Sequence, residues 1–302
     1  MAIGASRIFH VNVNCSNLER SLRFYQDVIG LTPSTHTAPA PQPGTAFGLE
    51  TAQWDAWIMT GENGYDGVVL DLLEWQVPRP TGTPPPTANV LGFNRLGFIT
   101  PDLDALHARL VDAGADCFGP PHTIEMEGVP PIRAFVFKDP DGTLIEAVSG
   151  DANRLAFVSV NCSDLDASTA FYRDVVGLQP LARFTPGPTD GAALRIDGTM
   201  ELEMAYLSSG TTGPGFAIDL QEWKQPRPTG AAAASANQLG IYRMAFLTDD
   251  IDADYKALTA AGVECVTPPA DLDMGPGLPQ LRALLFPDPD GTMLELIESP
   301  TP

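Results

Sequence analysis

NCSNLERSLRFYQDVIGL, Asn14–Leu31, returns as NCSDLDASTAFYRDVVGL, Asn161–Leu178, at an offset of 147. Two further segments repeat in the same order. LLEWQVPRP (Leu72–Pro80) returns as LQEWKQPRP (Leu220–Pro228), and KDPDGTLIEAV (Lys138–Val148) as PDPDGTMLELI (Pro287–Ile297). Self-similarity at a fixed period outranks any single motif as an architectural signal. It divides the 302 residues near Gly150–Leu155 into two halves of ordinary domain size.

Outward from the opening segment, IFHVNVNC reads as a strand, and a short helix follows from Ser16 or Asn17 to about Asp27. Leu18, Leu22 and Tyr25 supply its apolar stripe, and Gly30 stands just past its end. FNRLGFIT (Phe93–Thr100) is a second strand, after which Asp102 or Asp104 caps a helix with Leu106, Leu110 and Ala113 on its apolar face. RAFVFKDPDGTLIEAV is then a hairpin turning at Asp139–Gly142. The same succession starts again at Leu155 and at Tyr242. The fold class is therefore α+β, with four strand–helix–hairpin modules over 1–88, 89–150, 151–236 and 237–302. The first two make an N-terminal domain, 1–150, and the last two a C-terminal domain, 151–302. Pro/Ala-rich stretches, Pro78–Asn89 and Pro226–Asn237, link the modules within each half.

Composition narrows the partners. Seventeen Lys plus Arg against 38 Asp plus Glu give a formal charge of −21, which repels a phosphate backbone and argues against nucleic acid. Small uncharged or cationic ligands remain. No apolar run approaches the roughly 20 residues of a membrane span, and Met1 to His10 lacks the pattern of a secretory signal. Cys15, Cys117, Cys162 and Cys265 form no CxxC pair and read as buried thiols. The expected setting is the cytoplasm, and the expected state a monomer or homodimer.

The doubled FY…GL and DPDG…E motifs resemble those of the vicinal oxygen chelate superfamily, the glyoxalase/bleomycin resistance/dioxygenase proteins. The resemblance covers essentially the whole chain. It implies four βαβββ modules curled into two tandem, cupped, incomplete barrels, each with one site. Members include metal-dependent isomerases, dioxygenases and metal-free antibiotic-binding proteins, so the fold does not select the function.

Metal-using members place ligands on the first and last strands of each module. Carried onto this chain, those positions are His10, Asp71, Arg95 and Glu146 in one half, and Phe157, Asp219, Arg243 and Glu295 in the other. Neither set holds two histidines, and a guanidinium cannot ligate a cation. The arginines instead read as fixed positive charges between carboxylates, replacing a metal; no metal or other cofactor is expected. His10 is the one histidine on a cavity strand and the candidate base, with Asp71, Arg95 and Glu146 as its catalytic companions. Asn12 and Asn14 share its face by strand alternation, as Ser159 shares that of Phe157. Trp54 and Trp57 are candidate ligand contacts, together with Phe157, Ser159, Asp219, Arg243 and Glu295. Met126, Met200, Met204 and Met274 fall near the expected ligand-facing loops.

Two functions follow. The first is metal-independent binding of a small, largely apolar or aromatic organic molecule, of natural-product or antibiotic type, in a resistance or sequestration role. The second is an enzyme of natural-product or aromatic metabolism, isomerase-, lyase- or dioxygenase-like, working through His10 with Asp71, Glu146 and Arg95.

Overall fold

A computed structural model of the chain describes residues 2–4, 7–126, 129–210 and 215–298. Module 1 comprises β1 (Arg7–Asn14), α1 (Leu18–Arg23), β2 (Thr32–Thr37), the two-residue β3 (Gln42–Pro43), β4 (Thr51–Thr60) and β5 (Val69–Val77). Module 2 comprises β6 (Gly92–Thr100), α2 (Leu103–Asp112), β7 (His122–Met126), β8 (Val129–Lys138) and β9 (Leu144–Ser149). Module 3 has β10 (Arg154–Asn161), α3 (Leu165–Phe171), β11 (Gln179–Phe184), β12 (Thr189–Asp190), β13 (Thr199–Ser208) and β14 (Ala217–Gln225). Module 4 has β15 (Gly240–Thr248), α4 (Ile251–Ala260), β16 (Ala270–Leu272), β17 (Leu281–Pro287) and β18 (Met293–Glu298). The α+β class and the four modules match the sequence expectation. Among the described residues no helix is long and apolar enough to cross a membrane.

Local chemistry explains the helices. The side chain of Asn17 accepts from Arg20 N to cap α1, and Asp102 accepts from Ala105 N to cap α2. Beyond α1 the chain widens into a π-turn, Phe24–Ile29, and stops at Gly30, whose φ of 95° is open to glycine at little cost.

The sheets correct one expectation. One runs β16-β17-β18-β15-β1-β5-β4-β2 and the other β11-β13-β14-β10-β6-β9-β8-β7, so module 1 shares a cup with module 4, and module 2 with module 3. Neither 1–150 nor 151–302 closes a cup alone. The repeat makes β1 equivalent to β10 and β6 equivalent to β15, and it does not say which pairs with which. Side-chain volume adds a constraint. Phe157 lies opposite Gly97, and a Cβ there would fall 2.3 Å from its ring, whereas smaller His10 lies opposite Ala245.

Other contacts do join modules within a half. Tyr25 donates to Asp139 at 3.0 Å and Tyr172 to Asp288 at 3.1 Å. The Asp141 carboxylate of the DPDG turn accepts from the backbone N–H of Ser16 at 3.0 Å. DPDG is thus a hairpin turn that also ties down the segment before α1. The linkers are held by a pair of asparagines. Asn14 Nδ2 donates to the Ala236 and Gln238 carbonyls, both at 2.7 Å, while its Oδ1 accepts from Trp75 at 3.1 Å. Asn161 does the same with Ala88, Val90 and Trp223.

Candidate functional site

The strand pairing regroups the expected site residues. The cup of modules 1 and 4 holds His10, Asp71, Arg243 and Glu295; the cup of modules 2 and 3 holds Phe157, Asp219, Arg95 and Glu146. Arg95 and Glu146 are therefore not companions of His10, because β6 and β9 belong to the other sheet.

In the first cup, β1 carries an irregularity between Ile8 and His10 that leaves Phe9 without a register partner on β15. Such a bulge re-aims side chains, and here consecutive residues Phe9 and His10 both line the cavity. The cavity is about 260 Å³ and its walls are mainly apolar, with Phe9, Phe47, Trp54, Tyr65, Leu278 and Pro279 among them. That volume lies just under the roughly 300 Å³ at which pockets begin to take drug-sized ligands. The loop bearing Met274, Leu278 and Pro279 is fastened across the cup: Gln42 Nε2 donates to the Asp273 carbonyl at 2.9 Å, and Asp273 N returns a bond to Gln42 Oε1 at 3.0 Å.

The polar end of the cavity is a buried charge cluster. Arg243 donates from Nη2 to Asp71 Oδ2 and from Nε to Glu295 Oε2, each at 2.8 Å. Burial opposes its charge, but Glu295 and Asp71 outweigh that and raise its pKa further. Burial also opposes ionisation of Glu295, yet Arg243 and His10 hold its carboxyl down at about 2. His10 Nε2 stands 3.3 Å from Glu295 Oε2 and 3.9 Å from Asp71 Oδ2. Neither contact has hydrogen-bond geometry, so both ring nitrogens are unpartnered. Arg243 Nη1 is unpartnered too, and the guanidinium carbon lies 5.5 Å from the centre of the Phe47 ring.

The second cup is wired differently. Arg95 uses all three guanidinium nitrogens: Nε to Glu146 at 3.0 Å, Nη1 to Asn94 at 3.1 Å and Nη2 to Gln221 at 3.3 Å. Gln221 passes the connection to Asp219 Oδ2, which also accepts from Ser159 at 2.9 Å. Burial pushes the Asp219 carboxyl up to about 7, against Arg95 and Ser159 and with help from Glu146. The Asp219 charge, with burial behind it, raises the nearby Tyr206 phenol.

The other expected ligand contacts divide. Trp54 lines the cavity. Trp57 lies on the opposite face of β4, stacked on His36 at 4.7 Å between ring centres, because strand neighbours three apart point opposite ways. Asn12 orients Asp71 through a 3.2 Å bond to Oδ2, and Asn14 holds the linker rather than facing a ligand. Of the methionines, Met274 lines the cavity and Met204 packs in the other cup's core; the Met126 side chain is outside the described residues. Sequence reasoning missed Phe9, hidden by the bulge, and Gln221, Asn94 and Tyr242, whose difference between the repeats was readable.

A divalent cation wants three or four imidazole or carboxylate donors around one point. In the first cup the Asp71 and Glu295 oxygens facing such a point already bind a guanidinium, and in the second Phe157 replaces the imidazole. Among the described residues no group of three or more His, Cys, Asp or Glu could hold a metal ion. The metal that the fold family implies does not fit these side chains.

No curated protein matches the chain. Glyoxalase I from Zea mays superposes with a TM-score of 0.68 at 17% identity, covering 97% of this chain and 92% of that one. A Bacillus subtilis (subsp. subtilis str. 168) protein proposed as a dioxygenase gives 0.64 at 16%, covering 99% and 87%. At such identities the likeness is one of fold. The family model described as Glyoxalase/Bleomycin resistance protein/Dioxygenase superfamily matches residues 7–147 and again 154–296. With the duplicated cupped sheets, those two matches establish that the chain belongs to this superfamily.

Proposed function

We propose that the chain is a metal-free enzyme of aromatic or natural-product metabolism, isomerase- or lyase-like, that moves a proton on a small organic molecule held in the cup of modules 1 and 4. The observation that carries this reading is the His10 imidazole, 4% exposed, unpartnered at both nitrogens and beside an ionised Glu295 on the wall of an apolar cavity. With Nε2–H turned toward Glu295, Nδ1 carries the lone pair that takes a proton from substrate carbon. The C–H electron pair becomes an enolate whose charge Arg243 stabilises, and Glu295 steadies the imidazolium. Returning the proton to a different carbon gives an isomer; expelling a β-substituent instead gives elimination. Asp71 and Glu295 keep Arg243 in place, and Asn12 orients Asp71. Arg243 and Glu295 thus take the roles the sequence assigned to Arg95 and Glu146.

The largely apolar wall also favours a second reading, binding of a natural-product or antibiotic-like molecule without turnover. Deuterium exchange into 2-indanone in D2O, followed by NMR, separates the two. Exchange that the wild type catalyses and His10→Ala loses supports the enzyme. Saturable binding of 2-indanone by the wild type, with exchange no faster than in buffer, refutes it in favour of the binder.

A further inference from the structure

The two cups descend from one repeat, yet their arginines end differently. At the position of Asn94, which accepts from Arg95 Nη1 at 3.1 Å, the other cup has Tyr242; at the position of Gln221, which accepts from Nη2, it has Leu73. Arg95 is saturated. Arg243 turns Nη2 directly to Asp71 and keeps Nη1 without an acceptor, although the residue is only 5% exposed and lines the cavity. A buried donor on a charged group is expensive to leave unmade, and native structures seldom leave one without a reason.

The charge balance says what kind of acceptor belongs there. Asp71 and Glu295 against Arg243 leave the cluster with one net negative charge when His10 is neutral. A ligand arriving as an anion meets that charge in a low-dielectric cup, on a protein carrying −21. A neutral ligand with one oxygen acceptor meets the unpaired N–H and the aromatic wall without that repulsion.

We infer that Tyr242, by withholding the acceptor that Asn94 supplies in the sister cup, opens Arg243 Nη1 as a single docking point for the carbonyl oxygen of an uncharged planar molecule, and that the cup discriminates against carboxylates of the same shape. This rests on the reading of the first cup as the ligand site. It makes the two cups unequal: one is a receptor, the other a closed hydrogen-bond network.

Equilibrium dialysis with three probes of one shape tests it: 2-acetylnaphthalene, 2-ethylnaphthalene and 2-naphthoate. The wild type should bind the ketone about tenfold or more tighter than the hydrocarbon, as a hydrogen bond to a charged donor predicts, and tighter than the carboxylate by a similar factor. Tyr242→Asn copies the sister cup, and Arg243→Lys keeps the charge but removes Nη1. Whichever of the two retains the wild-type circular dichroism should bring ketone and hydrocarbon to within about twofold of each other. Tightest binding of 2-naphthoate, equal binding of ketone and hydrocarbon, or a ketone preference surviving in either folded variant overturns the inference while leaving the cup a site. Failure of all three probes to bind removes the site itself, and the inference with it.

Discussion

Replacing Arg243 by methionine should be among the most damaging single substitutions in the first cup, and the cost should depend on pH. The side chain is buried and bonded to two buried carboxyl groups, so its loss strips Asp71 and Glu295 of the guanidinium that balances them. Two routes give the magnitude. Glu295 is held at about 2 against an ordinary 4.5, and at about 1.4 kcal/mol per unit this contributes about 3 kcal/mol at neutral pH. Breaking a buried ion pair by removing one partner costs roughly 3–5 kcal/mol in other proteins. The two agree. Because the folded-state value is lowered, this stabilisation is complete above about pH 4.5 and is lost as pH falls through about 2. Glu295 in the variant, lacking its cation, accepts a proton at higher pH. The gap between the proteins should therefore be about 3–5 kcal/mol in urea unfolding at pH 7 and should narrow by about half or more near pH 3. A gap below about 1 kcal/mol at pH 7, or one that stays constant with pH, would refute the charge-cluster reasoning.

Asp219 makes the opposite pH prediction. Its folded-state value is raised to about 7 from 3.8, so the stability it allows below about pH 4 erodes as pH rises toward 7. Asp219→Asn should melt at a temperature that gains on the wild type between pH 5 and pH 8; parallel curves would contradict this. Asn14→Ala removes three hydrogen bonds, two of them to carbonyls at the end of the linker, Ala236 and Gln238. It should cost about 2–4 kcal/mol in urea unfolding, with Asn161→Ala costing the same within error, and a loss under 1 kcal/mol would show that the linker is held by something else.

Most of the fold was legible in the sequence, because the doubled FY…GL and DPDG segments carry helix, cap and turn chemistry that acts over a few residues. Asn17, Asp102 and Gly30 stand where local rules put them. The partition of modules between cups was not legible from those motifs, since they belong to contacts within a half, such as Tyr25 to Asp139. His10 and Asp71 were picked out by strand position and do meet. Their true partners, Arg243 and Glu295, lie more than two hundred residues from His10 and were assigned to the other site. Phe9 was invisible because alternation assumes a regular strand. The inequality of the cups was written in Asn94 against Tyr242 and in Gln221 against Leu73, differences whose meaning depends on the guanidinium that each position faces.

The Phe157–Gly97 contact bears on a hazard that every duplicated sheet faces. Twin strands recognise one another's partners, and β10 presents much the same backbone edge to β15 as to β6. Exchanging partners would set the Phe157 ring against the methyl of Ala245, at a place where a Cβ comes within 2.3 Å of that ring. His10 tolerates either neighbour, so the discrimination falls on one strand pair alone, and that suffices: once β10 has claimed β6, β1 is left with β15. A single absent methyl group thus acts as a parity check on assembly, and it brings the two ends of the described chain together to complete the cup that holds His10.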